Sequence, residues 1–209
     1  MKVAVLNTSG SETGRTVDLS DDIFGIEPNE HAVYLDVKAY LANQRQGTAE
    51  TKERNLISGS TRKLHKQKGT GGSRKGDIKN PIFRGGGTIF GPNPRDYSEK
   101  VNKKVKVLAR KSALSDKAIS GKIMVIEDFS FDKPKTKSFT EVLKNLQISD
   151  KKSLLVTGDY DKNLYLSSRN VPKTNMIHAK NINTYSILNS NILVLAESAL
   201  AKLNETLSK

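Results

Sequence analysis

Apolar residues recur along most of this chain with one of two periods, and through one long stretch they recur with none. Val3, Ala4, Val5 and Leu6 run together, as in a short strand buried on both faces, and a polar turn at Asn7-Thr8-Ser9-Gly10 leads into a polar stretch to about Asn29. Val33, Val37, Tyr40 and Leu41 then fall at i, i+4, i+7 and i+8, which predicts a helix over about residues 30–46 with these four on one face. Val101, Val105, Leu108, Ala109 and Ala113 predict a second helix running to about Ser120. From Gly121 onward, apolar runs alternate with amphipathic stretches. Strands are expected at 122–127, 153–157, 175–178 and 192–195. Ser138-Phe139-Thr140-Glu141 reads as a capping box opening a helix with Phe139, Val142, Leu143 and Leu146 on one face. Residues 161–168 suit a short helix, and Ala196, Leu200, Leu203 and Leu207 a last one. Continuous apolar strands alternating with amphipathic helices predict an α/β fold, a mainly parallel sheet with helices on both faces.

Between the first two helices the periodicity disappears. Residues 58–97 hold nine of the chain's 15 glycines and three of its six prolines, which neither a helix nor a packed core can use. The same stretch carries nine Lys and Arg against two carboxylates, Asp77 and Asp96. The expected organisation is a globular α/β body of residues 1–46 and 99–209, interrupted by a long extended Gly/Lys/Arg-rich internal loop over 47–98. Forty residues going out and back reach at most roughly 65–70 Å at ~3.3 Å per residue, farther than a small domain is wide.

Charge gives this segment a partner. The net charge is +13, and residues 43–111 hold 18 Lys and Arg against five Asp and Glu, so the remainder balances at 17 of each. A neutral body with a basic arm points to a nucleic-acid binder, since a merely solubilised surface would spread its charge. A charge run is often only solvated surface. This one is tethered at both ends and punctuated by Leu64, His65, Ile78, Ile82, Phe83, Ile89, Phe90 and Tyr97, which can stack on bases or fill gaps between RNA helices. The second helix continues the positive surface with Lys103, Lys104, Lys106, Arg110 and Lys111.

Other chemistries find little support. The chain has no cysteine, which excludes disulfides, thiolate zinc sites and cysteine nucleophiles and suits a reducing compartment. The longest apolar runs, such as Ile192 to Ala196, are too short for a signal peptide or a membrane span, so a soluble cytoplasmic protein is expected. Gly71-Gly72-Ser73-Arg74-Lys75-Gly76 begins like a phosphate loop, but Asp77-Ile78 stands where lysine and a hydroxyl should follow. Gly85-Gly86-Gly87-Thr88-Ile89-Phe90-Gly91 misses the dinucleotide spacing by one residue. His31, His65 and His178 share no motif, and neither a cofactor nor a metal is expected. Glu127, Asp128, Asp159 and Asp161 fall at strand ends, where ligands can bind but where turn and cap carboxylates are common.

The arm's residues also carry a family resemblance. Arg45-Gln46-Gly47-Thr48, Ser58-Gly59-Ser60, Gln67-Lys68-Gly69-Thr70-Gly71, Arg74, Gly76, Lys79 with Pro81-Ile82, Gly85-Gly86-Gly87, Phe90-Gly91-Pro92, Arg95-Asp96-Tyr97 and Lys100-Val101-Asn102-Lys103-Lys104 together resemble the universal family of large-subunit ribosomal protein four, in its bacterial form. The order of strands and helices in the body fits as well.

The resemblance implies a non-enzymatic, structural role: early binding of large-subunit ribosomal RNA of the 23S type, contact with several RNA domains and with neighbouring ribosomal proteins, and a loop tip at the nascent-peptide exit tunnel. The RNA-binding set expected from the charge together with the resemblance comprises Arg45, Lys52, Arg54, Arg62, Lys63, His65, Lys66, Gln67, Lys68, Gly69, Thr70, Gly71, Arg74, Lys75, Lys79, Arg84, Phe90, Arg95, Tyr97, Lys100, Lys103 and Lys104. Gln67, Lys68, Gly69, Thr70, Gly71, Gly72, Ser73 and Arg74 would lie near the tunnel. The family often has Trp at the position of His65 and a basic residue at that of Gly72, which implies weaker stacking and lower charge here. Two rival readings remain at this point: an RNA-modifying enzyme with a basic substrate arm, whose cofactor loop would be residues 7–12, and a regulator that binds messenger RNA.

Overall fold

The computed structural model describes residues 1–208. Two compact units emerge, one from Met1–Leu41 together with the chain from Lys100 on, the other from Ala42–Glu99.

The first unit is built on a six-stranded mixed sheet. Its strands are β1 (Lys2–Leu6), β2 (Glu12–Asp18), β3 (Ile123–Ile126), β4 (Ser153–Thr157), β5 (Thr174–His178) and β6 (Ile192–Ala196), in the spatial order β2-β1-β3-β6-β4-β5. All neighbours pair in parallel except β1 and β2. The central strands are apolar on both faces because both faces are covered. Ile123, Val125, Leu193, Leu195, Leu154 and Val156 join one core cluster, while Ile126, Val194, Ile192 and Leu155 join another. Helices α1 (Asp21–Phe24), α3 (Lys103–Ile119), α6 (Thr184–Asn189) and α7 (Glu197–Leu207) supply the first cluster with Ile23, Phe24, Leu114, Ile187, Leu200 and Leu203. Helices α4 (Thr136–Asn145) and α5 (Lys162–Ser168) close the second with Phe139, Val142, Leu143 and Leu164.

Several expectations change. The polar stretch after Leu6 contains β2, an edge strand that pairs with β1 through its backbone while leaving most of its side chains exposed; only a weak alternation, with Val17 packed toward the core, betrays it. It also contains the single turn α1. Helix α4 begins at Thr136, so Ser138 and Glu141 lie inside it and form no capping box; the N–H of Lys135 instead reaches Ser167 Oγ at 3.0 Å. Helix α2 (Glu30–Asn43) ends earlier than expected and buries Ala32 and Ala39 rather than the stripe of Val33, Val37, Tyr40 and Leu41. Asn29 seats its start, with Oδ1 accepting from the Ala32 N–H and its own N–H donating to Ser112 Oγ on α3.

Candidate nucleic-acid interface

Residues 44–102 contain neither helix nor strand. Within the second unit, the outgoing and returning limbs are tied by backbone hydrogen bonds between residues far apart in sequence. The Arg95 N–H donates to Gly47 O at 3.2 Å, that of Thr51 to Pro92 O at 3.1 Å, and that of Thr88 to Lys52 O at 3.1 Å. Farther out, the Leu64 N–H donates to Gly76 O at 3.0 Å, so residues 65–75 form the tip beyond the last cross-limb bond.

Glycine lets the limbs approach at the root. A Cβ at Gly87 would lie 2.4 Å from the Arg54 backbone nitrogen, and one at Gly91 only 1.8 Å from Thr51 Oγ1. Added Cβ atoms at Gly69, Gly71, Gly72 and Gly76 would meet nothing within 4 Å. Root glycines are therefore consumed by the chain's own packing, and tip glycines leave open backbone surface.

The cations divide in the same way. Arg54 forms an ion pair at 2.8 Å with Asp77, one of only two buried residues between Ala42 and Glu99, the other being Gly87. Asp77, which spoils the phosphate-loop motif in the sequence, thus acts as an internal counter-charge. The guanidiniums of Arg45 and Arg95 lie 3.7 and 4.5 Å from the centre of the Tyr97 ring. A hydrogen bond from Arg95, then the charges of Arg95 and Arg45, hold the Tyr97 phenol below its ordinary range. Asp96 is likewise held below the usual carboxylate range, first by the Ser98 hydroxyl and then by the Ser98 N–H.

Beyond the root the cations are less engaged. Lys75 lies 5.6 Å from the Phe83 ring centre, and Lys63 donates to Gln67 Oε1. Lys52, at the root, and Arg62, Lys66, Lys68, Arg74, Lys79 and Arg84 farther out have no ion pair among the described residues. Ser60, Arg62, Lys63, Leu64, His65, Lys66 and Ile78 surround a concavity of about 470 Å³ whose lining mixes cationic and apolar side chains. Most large apolar side chains of the arm face solvent, Phe90 at 98% and Ile82 at 85% exposure, while Ile57, Phe83 and Tyr97 are half-buried. Sequence reasoning missed the Arg54–Asp77 and Arg45–Tyr97–Arg95 arrangements, because each joins residues of opposite limbs.

In the body, Lys100, Lys103 and Lys104 are exposed, the last two in the first turn of α3, where no carboxylate is present. Cations are disfavoured at the positive end of a helix dipole, so these two gain from an external anion.

The strand-end carboxylates are used in capping and pairing. Asp128 accepts the N–H and hydroxyl of Ser198 at the start of α7, and Asp161 accepts the N–H groups of Asn163 and Leu164 to cap α5. Glu127 faces Arg15 at 3.7 Å, and Asp159 pairs with Lys202, whose hydrogen bond and charge hold its carboxyl below the usual range. Of residues 7–12, residues 7–11 form the β1–β2 hairpin turn and Glu12 opens β2, with Asn7 Oδ1 accepting from the N–H groups of Ser9 and Ser11. A hairpin between antiparallel strands lacks the helix N-terminus that a strand–loop–helix cofactor site uses. His31 stacks on Tyr34, His178 accepts the Lys180 N–H, and His65 lies in the arm, so the three histidines occupy separate places.

A sequence model described as the ribosomal protein L4/L1 family matches residues 17–206. The chain is 60% identical over 209 residues to the large ribosomal subunit protein uL4 of Flavobacterium psychrophilum, covering all of both chains. It is 61% identical over 208 residues to the uL4 of Christiangramia forsetii and 56% identical over 208 residues to that of Phocaeicola vulgatus, again over the full length of each.

Proposed function

The chain belongs to the ribosomal protein L4/L1 family, and from that premise we propose that it is a structural constituent of the large ribosomal subunit that binds 23S-type ribosomal RNA through the arm. The carrying observation is the set of cations from Arg62 to Arg84 that find no counter-charge within the described chain. An RNA backbone supplies those charges and releases its condensed counterions in return. Open glycine backbone at 69–72 permits close approach to phosphate, and exposed Phe90, Ile82 and Leu64 offer apolar faces to unstacked bases.

In this reading the cations divide by role. Arg54, Arg45 and Arg95 hold the root in shape, and Lys52, Arg62, Lys63, Lys66, Lys68, Arg74, Lys75, Lys79 and Arg84 meet phosphate. Residues 67–74 at the tip reach deepest into the RNA and contribute to the exit-tunnel wall, while Lys100, Lys103 and Lys104 extend the contact onto the body. The chemistry is electrostatic binding and shape-filling, with no reacting group.

The test is co-sedimentation of the tagged chain with ribosomal particles at moderate and high salt, beside a variant lacking residues 58–97. Retention of the full chain in large subunits at both salt concentrations, with poor incorporation of the deletion, is the expected result. A chain that stays at the top of the gradient, or a deletion that incorporates equally well, would overturn the proposal.

A further inference from the structure

The apolar stripe of α2 is only partly covered within the body: Tyr40 stacks on Tyr185 at 5.0 Å, Val33 and Val37 are half-buried and Leu41 is exposed. Val33, Tyr34, Val37 and Leu41 line an open groove of about 620 Å³, completed by Ala113 of α3 and Leu188 of α6. Tyr34 is 60% exposed and Leu41 44%. By contrast, α4 and α7 bury their apolar stripes fully, through Phe139, Val142 and Leu143 in one and Leu200, Leu203 and Leu207 in the other. Elsewhere in the body the exposed apolar side chains of helices, such as Leu108 and Ile119 on α3, do not line this groove, which gathers several of them along one concave face. An exposed apolar strip with a tyrosine at its edge has the composition of a protein interface.

The charges at the groove select the partner. Glu30 and Asp116 are exposed carboxylates of its lining, and neither forms an ion pair among the described residues; Lys38 is the one cation of the lining. Glu30 lies in the first turn of α2, where the helix dipole favours it. Asp116 lies in the last turn of α3, where the dipole disfavours a carboxylate, so a cation brought to it is a net gain. With two carboxylates against one lysine in an otherwise apolar lining, the groove disfavours phosphate and suits a cationic, apolar peptide better than RNA. Resting on the reading that the chain is part of the large subunit, we propose that this groove seats a segment of a neighbouring large-subunit protein whose apolar side chains are flanked by Lys or Arg, the apolar groups covering Val33, Val37 and Leu41 and the cations meeting Glu30 and Asp116.

The experiment replaces Tyr34 with the photo-crosslinking residue p-benzoylphenylalanine in the tagged full chain, purifies the large subunits that contain it, irradiates them and identifies the product by mass spectrometry. The expected product joins position 34 to a single site in another large-subunit protein, with Lys or Arg within a few residues of an apolar anchor. A second variant, Leu41→Glu in the same background, should lower the crosslink yield at least tenfold while the melting temperature of the free chain stays unchanged, because Leu41 is exposed. A crosslink to RNA, to a second copy of the chain or to the chain's own residues would overturn the proposal, as would the absence of any crosslink in subunits shown to contain the chain. Absence of the chain from large subunits would overturn both this proposal and the functional reading beneath it.

Discussion

The body and the arm of this protein are held together by different physics. Among the described residues, every fully buried apolar side chain belongs to the body, from Val5 on β1 to Leu207 on α7. Between Ala42 and Glu99 the two buried residues are a carboxylate and a glycine, while Phe90, Ile82, Ile89 and Leu56 face solvent. The body's order comes from removing apolar surface from water. The arm draws its order from cross-limb backbone bonds, close glycine contacts and the Arg54–Asp77 ion pair. It follows that the body can tolerate changes of charge and the arm can tolerate loss of apolar groups, each without losing its shape.

The largest expected effect lies in the body. Leu114→Ala, at a site with no exposure, should cost about 2–5 kcal/mol of unfolding free energy measured by urea denaturation. Phe90→Ala, at an exposed site, should change it by no more than about 0.5 kcal/mol. A comparable loss from Phe90→Ala would mean that the arm has a core of its own, and the contrast would fail.

Next comes the root of the arm. Arg54→Gln removes the counter-charge of Asp77 and should speed amide exchange at Gly87 and Thr88, consistent with the loss of about 1–3 kcal/mol of local order, while the body's melting temperature holds. Gly87→Ala should do the same by steric conflict with the Arg54 backbone. Gly72→Ala should leave exchange unchanged in the free chain, since nothing lies within 4 Å of its added Cβ. Equal exchange in Gly87→Ala and Gly72→Ala would erase the distinction between root and tip.

The smallest effect is a pH dependence. Lys202 lowers the Asp159 carboxyl from its ordinary value of 3.8, so the pair contributes stability above that value and loses it as pH falls through the lowered one. Asp159→Asn should therefore melt slightly earlier than the unsubstituted chain at neutral pH and converge with it in strong acid. Divergence in acid would contradict this sign.

Much of the body was legible because burial on both faces leaves an unambiguous pattern. Residues 153–157 form a strand over the residues their apolar run marks out, and α3, α5 and α7 begin and end within a few residues of the periodic signal. The failures share a cause. Strand β2 is held by backbone pairing to β1 with its side chains in water, so it has little hydrophobic signature. Helix α2 shows the periodicity of a buried face, yet sequence cannot tell a stripe buried in the chain's own core from one left open, and the two alanines on its inner side carry too little signal to compete. In the arm, composition and charge mark the candidate site, but they treat all cations alike. That Arg54 answers Asp77 and that Arg45 and Arg95 flank Tyr97 depends on which limb residues meet, and no local pattern encodes that pairing.

The most direct test of the central claim is the salt dependence of affinity for a large-subunit ribosomal RNA fragment, compared between the full chain and a variant with Gln at Arg62, Lys66, Lys68, Arg74, Lys79 and Arg84. If these cations neutralise phosphates, the slope of log affinity against log salt should become shallower by roughly 0.7–0.9 for each contact removed, with the melting temperature of the free chain unchanged. An unchanged slope in a folded variant would contradict the assignment of RNA binding to the arm.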